Sequence, residues 1–70
     1  MKQFNEVSPS IQVMVEGYAI NDPYGLQPST LYKNIAGSLQ TSTPEKVAKI
    51  FEVSVSLCEM IQKENENVQN

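Results

Sequence analysis

The chain has 70 residues and a formal charge of −3, from five Lys against eight Asp plus Glu, with no His, Arg or Trp. That length holds one domain at most, and a core of that size is marginally stable unless a disulfide, a metal or a second subunit supports it. A single Cys excludes an internal disulfide and a cysteine-held structural metal, and mild acidity without Arg argues against a general phosphate-binding surface.

Residues 1–7 read as a short flexible arm with Phe4 and Val7 as its apolar residues. Ser8-Pro9 reads as a helix cap followed by a first-turn proline. The helix expected from 9 to 20 places Ile11, Met14, Val15, Tyr18 and Ala19 on one face, with Val13 and Ile20 off it. A strand is the rival, because Ile11, Val13 and Val15 alternate with Gln12, Met14 and Glu16, and Gly17 costs a helix interior about 1 kcal/mol. Helix is preferred because the opening cap is helical in style and the chain offers no second strand to pair with.

Asn21 to Gly25 reads as a type I turn, with Asp22 first, Pro23 second and Gly25 fourth. Leu26 to Pro28 continues the connection. Ser29 or Thr30 then caps a helix from about 30 to 40, with Leu31, Tyr32, Ile35, Ala36 and Leu39 on its apolar face. From Gly17 to Pro44 only Asp22 and Lys33 are charged. Charge depletion with Tyr present is a feature of interface centres, although turns and caps use the same uncharged residues.

Thr43 to Glu64 is the longest periodic stretch. Ser42 or Thr43 caps it, Pro44 suits the first turn, and Glu45 favours the positive end of the helix dipole. Treated as one helix, it carries Val47, Ile50, Phe51, Ser54, Leu57, Cys58 and Ile61 on one stripe. Val53 and Met60 widen that stripe on one side, and Val55 on the other. The apolar sector then covers about 240° of the wheel, more than twice the stripe an ordinary surface helix needs. The wet strip is Lys49, Glu52, Ser56, Glu59 and Lys63. Residues 65–70 read as a flexible polar tail.

No residue set in the sequence carries catalytic chemistry. Cys58 has no His partner and lies on the apolar stripe, so it reads as packing. The Glu residues are scattered along solvated faces, Asp22 belongs to a turn, and no phosphate loop or metal-ligand spacing occurs. Catalytic, cofactor-binding and metal residues are therefore expected to be none. A helix-turn-helix can be drawn from Leu31–Gln40, the turn at Thr41–Thr43 and the helix from Pro44, but it presents a mixed Glu and Lys face. A ribbon–helix–helix would need the strand reading of residues 11 to 16. No segment is apolar for about 20 residues, and no signal-type apolar region follows Met1–Glu6, so a cytoplasmic protein without a membrane segment is expected.

The expected architecture is thus an all-α domain over residues 1–70, with three helices at about 9–20, 30–40 and 43–64, the last as the spine of a homodimer. Its expected core is Ile11, Met14, Val15, Tyr18, Leu31, Ile35, Leu39, Val47, Ile50, Phe51, Ser54, Leu57, Cys58 and Ile61. The expected function is a small non-enzymatic regulator, an inhibitor or adaptor that binds another protein. Its size and Asn-, Gln-, Lys-, Glu- and Ile-rich composition suit a phage or other mobile element. The alternatives are a dimeric DNA-binding regulator and a structural subunit of a larger assembly. The expected interface residues are Tyr24, Leu26, Tyr32, Val53, Val55 and Met60.

Overall fold

The computed structural model describes residues 1–66, whose regular elements are all helical. A 3-10 turn at Phe4–Glu6 precedes α1 (Pro9–Ala19), α2 (Pro28–Ser38), α3 (Pro44–Phe51) and α4 (Val55–Glu66). The first segment is a helix, not a strand: Ile11 and Val15, one turn apart, are buried. Gly17 lies on the open side of α1, where an added Cβ would meet nothing within 4 Å.

Proline opens each of the first three helices. Pro9, Pro28 and Pro44 occupy first-turn positions, where the missing N–H is no loss and the fixed φ suits the helix. The second helix accordingly starts at Pro28, so Ser29 and Thr30 lie inside its first turn and do not cap it. Thr43 is the cap of α3, and its Oγ1 accepts from the Lys46 N–H at 3.3 Å. Between α1 and α2, the Gly25 N–H donates to the Asp22 carbonyl at 3.0 Å. Asp22 Oδ2 accepts from the N–H groups of Tyr24 at 3.0 Å and Leu26 at 2.9 Å. Gly25 sits at φ +67°, a left-handed conformation that glycine adopts without steric cost.

The expected long helix over 43–64 is two helices. Glu52 is left-handed, at φ 57° and ψ 46°, and it ends α3. The Val53 N–H turns back to the Ala48 carbonyl at 3.0 Å, which closes the helix end. Ser54 then starts α4, its Oγ accepting from the Leu57 N–H at 3.0 Å and its carbonyl from the Cys58 N–H at 3.3 Å. The 240° apolar sector arises from superposing two separate faces on one wheel. α3 buries Val47, Ala48 and Phe51, while α4 buries Leu57, Cys58 and Ile61.

Two members of the expected core are therefore misplaced. Ile50 points outward and is 52% exposed. Ser54 is half-buried because it caps a helix. Met14 and Tyr18 pack against the core from its edge, half-buried. Val7, Tyr32, Ala36, Ala48 and Val53 join the buried set, and no polar or charged residue is buried among the described residues.

Residues 1–7, expected to be a flexible arm, are fastened to the helices. Val7 is buried, and the Phe4 ring lies 5.7 Å from that of Tyr32. Of the tail expected from residue 65, Asn65 and Glu66 are the last residues of α4, and 67–70 lie outside the described residues.

A left-handed non-glycine residue costs about 1–2 kcal/mol, while glycine adds unfolded-state entropy of about 0.5–1 kcal/mol. Glu52→Gly should therefore leave the protein unchanged in fold and about 0.5–1 kcal/mol more stable, measured by urea denaturation. Ser54→Ala should lower stability by about 1 kcal/mol in the same assay, the usual loss for a removed cap.

Candidate interaction surface

Among the described residues, polar side-chain contacts cluster where the arm meets the last turns of α4. The Tyr32 hydroxyl on α2 donates to the Lys2 carbonyl at 2.7 Å and accepts from Asn65 Nδ2 at 3.2 Å. Asn65 Oδ1 accepts from the Lys2 N–H at 2.7 Å, and its Nδ2 also donates to the Ile61 carbonyl at 2.9 Å. Glu64 Oε1 accepts from the Ser8 N–H at 2.9 Å, while Oε2 pairs with Lys2 Nζ at 3.5 Å. The Ser8 N–H holds the Glu64 carboxyl below its ordinary range, with Lys2 helping and partial burial opposing. Burial pushes the Tyr32 hydroxyl up, against the bond from Asn65, which lowers it. This cluster is saturated internally and binds the arm to the helices.

Two grooves flank Met1. One, of about 190 Å³, runs between α2 and α4 and is lined by Ala36, Leu39, Ile61 and Asn65 among others. The other, of about 180 Å³, includes Phe4, Thr30, Tyr32 and Lys33. No three potential metal ligands converge among the described residues. Cys58 is buried, and burial, with a smaller effect from Glu59, pushes its thiol up to about 11. It is a packing residue with very little thiolate at neutral pH.

The six expected interface residues do not form one face. Tyr32 and Val53 are buried within the chain. Leu26 and Met60 are half-buried and pack against the core. Tyr24 is 61% exposed, its ring centroid 5.9 Å from that of Phe51 in an edge-to-face arrangement. Val55 is exposed at the start of α4. The most exposed apolar residues are others. Val13 is 66% and Ile20 82% exposed; seven positions apart, they share the side of α1 that faces away from Ile11 and Val15. Ile50 on α3 stands beside Phe51 in the chain, so the Tyr24 ring contact brings the 21–27 loop to that part of α3. The signal for Val13 and Ile20 was present in the sequence, since both fall off the packed face of the first helix.

α3 and α4 also have the layout of a helix-turn-helix. Glu52, Val53 and Ser54 alone separate them, the first of these is left-handed, and the two helices pack extensively on one another. The pair drawn from the sequence, with its turn at Thr41–Thr43, corresponds to α2 and α3, which are likewise joined by a short connection. The solvent side of α4 carries Val55, Ser56, Glu59 and Lys63, a face without net positive charge. No helix among the described residues is long and apolar enough to cross a membrane. No family model, curated protein or solved structure matches this chain.

Cys58 should react with a thiol reagent at neutral pH at least about a hundredfold more slowly in the native protein than in denaturant. The labelling rate followed across a urea titration should track global unfolding.

Proposed function

We propose that this chain is a small non-enzymatic regulator that works inside the cell by occupying an apolar surface of another protein. The supporting observation is a group of large apolar side chains left outside a closed core: Val13 on α1, Ile20 at its C-cap, Tyr24 in the following loop, and Ile50 on α3. Burying each such side chain is worth about 1.5–3 kcal/mol when a partner covers it. A single exposed apolar residue needs no explanation, but these four, with Met1 and Val55 also exposed, provide anchors for docking. The same residues would serve a homodimer, with α1 of each copy as the seam. Val53 and Met60, once the expected dimer flank, are engaged within the chain, so self-association rests on α1 and its neighbours instead.

The second reading is a DNA-binding regulator. It is favoured by the short left-handed connection between α3 and α4, which would make α4 the groove-facing helix. Charge weighs against it. Glu59 lies on the outward face of α4, Glu52 stands in the turn, and the chain has no Arg to contact guanine or phosphate.

Ile20→Lys and Ile50→Lys should each change stability by no more than about 0.5 kcal/mol, since both side chains are exposed. Together they should abolish capture of the partner from a lysate of the source cells. Capture that survives the double substitution would refute the reading. A duplex-DNA mobility shift that weakens steeply with salt and is lost in Lys63→Glu would replace it with the second. Light scattering of the wild type and the double variant tests whether the same face joins two copies.

A further inference from the structure

We propose that residues 1–8 form a strap that opens as a unit from an otherwise intact helical core, with Glu64 as its catch. The arm is held by Val7 in the core, by the packing of its 3-10 turn on α2 and by the bond from Gln12 Nε2 to the Val7 carbonyl at 2.9 Å, and three further polar contacts converge on two adjacent residues in the last turns of α4. The Ser8 and Lys2 N–H groups donate to Glu64 and Asn65 respectively, and Tyr32 donates to the Lys2 carbonyl. Lys2–Glu64 is the one ion pair among the described residues. Only Val7 of the arm is buried, and Phe4 lies half-buried against Tyr32.

Apart from the strap, Ile11, Val15, Leu31, Ile35, Val47, Leu57 and Ile61 belong to one buried apolar cluster drawn from all four helices, and the bond from Asn65 Nδ2 to the Tyr32 hydroxyl joins α4 to α2 without the strap. Opening the strap lets water reach the Tyr32 hydroxyl and both sides of Asn65. It also merges the two grooves beside Met1 and bares the α2–α4 seam at Leu39 and Ile61. Ser8, at φ −59° and ψ 150°, is the last residue of the strap, and Pro9 holds the start of α1 beyond it.

The catch is electrostatic. Lys2 and the Ser8 N–H face Glu64 from the strap, and the neutral Tyr32 hydroxyl faces it from α2. Glu6, in the 3-10 turn, bears on the same hydroxyl and accepts from the Gln3 N–H within the strap. Because the folded carboxyl lies below its unfolded value, the catch holds above the ordinary carboxylate range and is lost as pH falls through the folded value.

The test is amide exchange and nuclear Overhauser contacts on the full chain. In Glu64→Gln, the Ser8 and Lys2 amides should exchange about tenfold or more faster than in wild type, the usual weight of a bond to a charged acceptor, with the Leu31, Val47 and Leu57 amides unchanged. On acidification of the wild type from about pH 6 to about pH 3, the Phe4–Tyr32 ring contact should disappear before helical circular dichroism changes. That pH response should be absent in Glu64→Gln and retained in Glu6→Gln. Strap and core amides exchanging in step in wild type, or strap and helices lost in one acid transition, would overturn the proposal. The wild-type titration decides the matter even if a variant fails to fold.

Discussion

The left-handed conformation of Glu52 governs the architecture. Without it, residues 43–64 would form one rod about 33 Å long, at 1.5 Å per residue. α1 and α2 have eleven residues each, about 16 Å, and such short helices cannot cover a rod of that length on two sides. The reversal at Glu52 folds the second half of the stretch onto the first. Phe51 and Val53 then bury at the corner, and the faces of α3 and α4 meet each other as well as α2. Ser54 makes the turn economical, because its side chain and carbonyl both bond to the new helix start.

The same corner separates what the sequence makes legible from what it does not. Helical class, the turn at Asp22–Gly25 and the cap at Thr43 all follow from local chemistry, and each is realised by the residues that signal it. The break at 52–54 is written in weaker signs. Glu in a left-handed position is unusual, and no Gly or Pro marks the site. The β-branched Val53 and Val55 and the capping Ser54 were the available cues, and helical periodicity ran through them undisturbed. A period of 3.6 with one residue out of register still places apolar residues at plausible angles, so the wheel widened and did not fail. The excess width was a correct signal of a second face, and its cause lies within the chain. Ile50 shows the consequence at one position: central to the single-helix stripe, it is outside once α3 has its own axis.

The proposed interaction surface is less legible because it is defined by what the core leaves over. Tyr32 carries both an apolar ring and a hydroxyl, which suits an interface. In the fold it is buried, and its hydroxyl is used by Lys2 and Asn65, residues thirty or more positions away. No local pattern encodes such long-range partners. Val13 and Ile20 illustrate the converse. They fall off the apolar face of an amphipathic helix, and they are the most exposed large apolar residues among those described.

The join between the arm and the end of α4 also orders the folding of the chain. Its bonds link residues 56 to 63 positions apart, the longest separations among the hydrogen bonds here, whereas α3 and α4 are neighbours across a corner. Loop-closure entropy must be met before distant contacts contribute. The corner therefore assembles early, and the arm docks only after α2 and α4 present Tyr32 and Asn65 side by side. Lys2 thus stands farthest along the chain from the partners that fix it, and on loop-closure grounds its contacts are the last to form.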